Sequence, residues 1–108
     1  MPTGYEYSNE NNRNAQAVIG TTPIKIMERL PVGTRILFSL GNESATGQVI
    51  TLSFGGSSVA NSGLPMRVGG KWVEAKSEGF EPTSQEVWAV SSGAGAVLTI
   101  MERQRAVL

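Results

Sequence analysis

The chain contains no cysteine, no histidine and no aspartate. Without cysteine there is no disulfide framework and no thiolate to serve as nucleophile or ligand. Without histidine the commonest general base and metal ligand is missing. All 9 acidic residues are glutamate, which excludes an EF-hand loop, a Ser-His-Asp triad and Asp-centred two-metal sites. The 9 acids balance 9 Lys and Arg, so a nucleic-acid binder relying on a basic face is not expected. No apolar run approaches the ~20 residues that span a bilayer. The N-terminal stretch, residues 1–7, has neither the basic start nor the apolar segment of a signal peptide. These absences predict a soluble, non-enzymatic protein made in a cytoplasm, with no cofactor, metal, membrane or nucleic-acid partner.

What is present is turn-forming and strand-forming. The 108 residues fit one domain. The 13 glycines exceed the usual ~7% share and, with abundant Ser, Thr and Val, suggest short strands between turns. Residues 1–16 differ from the rest. Asn9, Asn11, Asn12 and Asn14 stand there with Ser8, Glu10 and Arg13. So polar a stretch offers little apolar area against its ordering entropy. It reads as a flexible N-terminal arm carrying Tyr5 and Tyr7, with a β-domain at 17–108.

From residue 17 onward, short alternating runs are separated by punctuation. Residues 17–20 and 24–28 are the first two, and Pro31, Val32 and Gly33 then break the chain. Residues 35–40 put Ile36, Phe38 and Leu40 on one face, and residues 48–54 do the same with Ile50, Leu52 and Phe54. Further strands are read at 64–68, where Pro65 indicates an edge or a strand end, and at 71–74, 86–90 and 96–101. No segment shows a helical stripe over three turns. About seven or eight short antiparallel strands at ~8–12-residue spacing predict an all-β fold, a β-sandwich or jelly-roll-like small barrel. Leu52, Phe38, Val87 and Trp88 are expected in its core.

The string Val59-Ala60-Asn61-Ser62-Gly63-Leu64-Pro65-Met66-Arg67-Val68-Gly69-Gly70 resembles a phrase of short tailed-phage virion proteins. So does the later Glu86-Val87-Trp88-Ala89-Val90-Ser91-Ser92-Gly93 running on to Glu102. Val18-Ile19-Gly20-Thr21-Thr22-Pro23-Ile24-Lys25-Ile26 is similar to that family's first strand. The resemblance covers residues 17–102. Its motifs consist of glycine, small residues and strand patterning. One departure is the longer loop in which Gly41 precedes Asn42. The resemblance implies a β-sandwich on a phage head or tail and carries no catalytic residues across.

Other motifs have plain readings. Gly93-Ala94-Gly95-Ala96 lacks the third glycine of a dinucleotide fingerprint and reads as a hairpin turn. Gly70-Lys71 lacks the rest of a P-loop. Glu74, Glu78, Glu81 and Glu86 read as a solvated cluster rather than a carboxylate pair. Asn42-Glu43-Ser44 matches a glycosylation acceptor that a protein without a secretory signal would not use. Trp72, after Gly-Gly-Lys, is the more exposed tryptophan by context and a candidate for an interface or for stacking on a sugar.

The expected function is that of a phage capsid decoration (cement) protein on the virion surface. It would bind the major capsid protein or other virion proteins and assemble as a homo-oligomer, with a trimer favoured. Candidate partner-binding residues are Tyr5, Tyr7, Arg13, Trp72, Arg103 and Arg105. Alternatives are a tail, spike or fibre-base component that binds a host surface, or a carbohydrate-binding module.

Overall fold

A computed structural model describes residues 11–56 and 63–105. Among them are β1 (Asn11–Ile19), β2 (Ile24–Met27), β3 (Arg35–Asn42), β4 (Ile50–Phe54), β5 (Leu64–Met66), β6 (Lys71–Ala75), β7 (Val87–Ser91) and β8 (Ala96–Gln104), and no helix. They form two antiparallel four-stranded sheets, here called sheet A, β1-β8-β3-β6, and sheet B, β2-β7-β4-β5. The all-β sandwich read from the alternation is the observed architecture.

The pairing has a simple rule. β1 pairs with β8, β2 with β7, β3 with β6 and β4 with β5. The chain is thus a long two-stranded ribbon, closed at β4–β5 and wrapped into two layers, which is jelly-roll topology. The 92–95 segment correspondingly passes from sheet B to sheet A. It is not the hairpin expected from its flanking strands, because each of those strands finds its partner elsewhere.

Between the layers lie Phe38, Leu40, Ile50, Leu52, Val87, Ala89, Leu98 and Ile100, all at most 3% exposed. Three of the four residues expected in the core are there. Trp88 is the exception. Adjacent strand residues point to opposite faces, so Val87 inside sends Trp88 out, opposite Lys25 and Ser53 on the neighbouring strands.

Two further expectations shift. Residues 11–16, read as part of the arm, form the first two-thirds of β1 and pair with β8 from Asn11↔Gln104 onward. An edge strand needs apolar groups on one face only. Ala15 and Ala17 pack against the core, and Asn12, Asn14 and Gln16 are exposed. The arm's remaining part, with Tyr5 and Tyr7, lies outside the described residues. In β3 the register slips between Arg35 and Leu37. This bulge takes Ile36 off the inner face and turns Arg35 inward with Phe38, Leu40 and Asn42.

Asn42 closes one end of the sandwich. Its Nδ2 donates to Gln48 O at 2.9 Å and Met66 O at 2.8 Å, while its Oδ1 accepts from Ser44 N at 3.1 Å and Ser44 Oγ at 2.6 Å. Fully buried and fully bonded, it is a structural residue and has no free amide for a glycan. Asn42→Asp keeps the shape but puts an acceptor against two carbonyls. We expect a loss of about 2–4 kcal/mol, since each unsatisfied buried group costs ~1–3 kcal/mol. Urea unfolding measures it, and an unchanged midpoint would refute the assigned bonding.

Candidate interaction surface

The opposite end of the sandwich holds the buried charges. Arg35, 1% exposed, points into it from the β3 bulge. Its Nε donates to Glu102 Oε2 at 2.7 Å, its Nη1 to Thr83 O at 2.7 Å and Gln85 O at 3.2 Å, and its Nη2 to Glu28 O at 2.7 Å. Arg13, from the inner face of β1, donates to Ile26 O at 2.9 Å and lies 3.7 Å from Glu102 Oε1. A cleft of about 340 Å³ opens beside this group, bordered by Arg13, Lys25, Glu28 and Glu102. Lys25 pairs with Glu28 across its mouth at 3.1 Å. The charges here satisfy one another and the carbonyls of the 83–85 segment, so they pin that segment to the sheets. Among the described residues no three carboxylates converge as a metal site would require.

The outer faces of the sheets differ. On sheet B, Thr51 and Val90 are each 2% exposed although they point away from the core. Gly63 packs there. A Cβ on it would fall 2.3 Å from Leu52 O and 3.1 Å from the Thr51 methyl, and its φ of +150° also demands glycine. Nearby, Trp88 is half-buried and its Nε1 donates to Glu86 Oε2 at 2.7 Å.

The outer face of sheet A mixes polar and exposed apolar side chains, and no other described strand covers it. Its rows read Asn12–Arg103–Leu37–Ala75, then Asn14–Met101–Ser39–Val73, then Gln16–Thr99–Gly41–Lys71, then Val18–Val97. Val18 is 71%, Val73 54% and Met101 40% exposed. Two grooves score it at the Arg103 row, one along Asn12, Asn14 and Met101, the other along Ile36, Ala75 and Lys76, with Leu37 and Arg103 bordering both. At the far end the Glu43 carboxylate reaches over Gly41 beside Lys71.

Of the candidate partner-binding residues, Arg13, Trp72, Arg103 and Arg105 are described, and these four do not converge. Arg103 alone sits on this open face, with its Nε donating to Asn12 Oδ1 at 3.3 Å. Arg13 is engaged at the end of the sandwich. Arg105 follows β8, half-buried, and its backbone N–H donates to Thr34 O at 2.7 Å. Trp72 is on the inner side of β6, packed against the core, with its Nε1 donating to Glu74 Oε2 at 2.9 Å. Glu74 in turn accepts from Thr83 N at 2.8 Å, so it is bonded within the fold rather than solvated. Both tryptophans are half-buried, Trp72 toward the core and Trp88 on the outer side of sheet B. The residues that sequence reasoning missed are Leu37, Val73 and Met101. Their signal was present, because 36–38, 72–73 and 100–101 are apolar on consecutive positions, which marks strands with two apolar faces.

Comparison with protein families, with curated proteins and with solved structures finds no match for this chain.

Proposed function

We propose that this protein is a non-enzymatic adhesion module of a virus particle, a decoration protein that strengthens a tailed-phage capsid by binding across its subunits. The observation that carries the reading is the set of exposed apolar side chains on the outer face of sheet A. Exposed Val18, Val73 and Met101 share that face among polar neighbours, and exposed apolar groups rimmed by polar ones support a protein contact. The buried pair Arg35–Glu102, by contrast, is bonded within the fold. Two further supports are the resemblance of residues 17–102 to short phage virion proteins and the jelly-roll topology, which recurs in viral capsid domains. The topology is support by analogy alone. Burying the face against a shell would raise the energy needed to separate capsomers.

The test is co-sedimentation of purified protein with empty shells. Val73→Glu, on an exposed outward position, is expected to leave thermal unfolding unchanged and to weaken shell retention about tenfold or more, as for a contact residue worth over ~1.4 kcal/mol. Full retention by this variant would remove the face from the mechanism. Failure of the native protein to bind any shell would remove the function.

A second reading, a sugar-binding virion component or module, is favoured by one observation. Trp88 presents its ring on the outer face of sheet B beside the Glu86 carboxylate, and a ring with an adjacent acceptor suits a sugar. Glycan binding lost in Trp88→Ala, with no shell binding by the native chain, would select it.

A further inference from the structure

We propose that the cleft between β1 and β2 is a binding site for one neutral sugar unit, held by Glu102, Arg13 and Gln104. The site goes beyond both readings above. It involves neither the outer face of sheet A nor Trp88, which does not border the cleft.

The first argument is position and size. β1 and β2 are edge strands, one from each sheet. Arg13 ties them together by donating from β1 to Ile26 O of β2 at 2.9 Å. Beside this tie lies a space of about 340 Å³. One water occupies ~30 Å³ of liquid, and small-molecule pockets run from ~300 Å³ upward. The cleft therefore has room for a single ring, such as the terminal unit of a glycan.

The second argument is hydrogen-bonding capacity left over where charge is balanced. The Glu102 side chain is 4% exposed. Its Oε2 accepts from Arg35 Nε at 2.7 Å. Its Oε1 has Arg13 Nη1 at 3.7 Å, too far for a hydrogen bond, and accepts from no other described residue. A buried carboxylate oxygen is costly to leave without a donor, and here the donor must come from whatever enters the cleft. Arg13 spends only Nη1, on Ile26 O, and its Nε and Nη2 donate to no described residue. Gln104 borders the same cleft, half-buried, and its side-chain amide bonds to no described residue.

The third argument is the chemistry of the lining. Two cations, Arg13 and Lys25, and two carboxylates, Glu28 and Glu102, border the space. A free anion entering it meets the Glu102 carboxylate, and a free cation meets the Arg13 guanidinium. Either is desolvated beside a like charge. A neutral ligand with a donor and an acceptor side by side suits both groups. One hydroxyl donates to Glu102 Oε1, and its neighbour accepts from Arg13 Nε or Nη2. Adjacent ring hydroxyls are such a pair, and the Gln104 amide can donate to a third or accept from it. Ile26 and Leu30 supply an apolar wall for the C–H groups of the ring. A lone amide or hydroxyl would meet the polar groups and leave most of the space unfilled.

The experiment is a titration of the full chain followed by nitrogen-resolved NMR at Arg13 Nε–H, the Gln104 side-chain amide and Trp88 Nε1–H. The probes are the methyl glycosides of glucose, galactose, mannose and N-acetylglucosamine, all of which carry adjacent free hydroxyls. Inorganic phosphate and ethylammonium are the charged controls. At least one glycoside is expected to shift the Arg13 and Gln104 signals saturably in the millimolar range, with no such shift from either control. Gln104→Leu keeps the size of the side chain and is expected to weaken that binding by at least about fivefold, the worth of one hydrogen bond. Arg13→Ala is expected to abolish it, and Trp88→Ala to leave it unchanged. Glycosides that leave the Arg13 and Gln104 signals in place would show that the cleft holds water only, and would overturn the proposal. So would a response confined to Trp88 Nε1–H, which selects the other sugar site, or saturable binding of a charged control alone. Native affinity in Gln104→Leu would remove that residue from the site and overturn the proposal as stated, even if Arg13→Ala fails to fold. No shell takes part, so these outcomes are separate from the fate of the capsid reading.

Discussion

Arg35→Met is expected to bring the domain close to unfolding at room temperature. The substitution keeps most of the apolar stem but removes the guanidinium from a site where the side chains of Arg35 and Glu102 are 0% and 4% exposed. Glu102 is then left buried, with Arg13 at 3.7 Å its remaining cationic neighbour among the described residues. Breaking a buried ion pair by removing one partner typically costs ~3–5 kcal/mol. The orphaned carbonyls of Glu28, Thr83 and Gln85 add to this, to the extent that water cannot reach them. The contact of the guanidinium over the Phe38 ring, 5.8 Å from its centroid, is lost as well. Against a total stability of ~5–15 kcal/mol for a domain, the variant should lose most of its unfolding midpoint in urea. The double variant Arg35→Met/Glu102→Leu should lose less than the sum of the two single changes, since it leaves no unpaired charge. A single variant that melts like the native chain would show that the pair does not hold the fold, whatever its geometry.

Phe38→Ala and Trp88→Ala are expected to differ sharply, although each removes a large aromatic ring from a central strand. Phe38 is 0% exposed between the sheets, and truncating such a residue costs about 3–5 kcal/mol. At ~4–8 °C per kcal/mol for a domain of this size, the melting temperature should fall by more than about 12 °C. Trp88 is only half-buried on the outer side of sheet B, so its removal should cost about 1–2 kcal/mol. Equal losses in the two variants would mean that the facing of β7 is reversed.

That contrast shows where local pattern stops being informative. Period-two alternation in 48–54 and 86–90 correctly implied strands with an inner and an outer face. Together with the turn residues and the absence of any helical stripe, it determined an all-β fold. The position of Leu52, Phe38 and Val87 in the core also followed from sequence. Alternation cannot say which face is inner when both carry large apolar groups, as at Val87 and Trp88. There the second sheet chooses, by covering one side. Trp72 seemed exposed from its glycine-rich surroundings, yet β6 pairs with β3 at Leu40↔Trp72, which aims the indole at the core.

The remaining features depend on contacts far apart in the chain. Residues 11–16 looked too polar to fold, because composition counts every side chain, whereas an edge strand gains its backbone bonds from β8 and needs only Ala15 and Ala17 inside. A one-residue bulge in β3 reverses the facing of Arg35 and Ile36, and nothing in the sequence of that strand announces it. The Arg35–Glu102 pair joins residues 67 positions apart. Alone, each is an ordinary surface type. They are buried together because folding the ribbon brings β3 beside β8 and presses the 83–85 carbonyls onto the same guanidinium. The candidate interaction surface arises in the same way. Leu37, Val73 and Met101 come from β3, β6 and β8, which the sequence keeps apart. Residue type determined that β3, β6 and β8 each carry an apolar group on a second side, and only the order β1-β8-β3-β6 brought those groups onto one face that no other described strand covers.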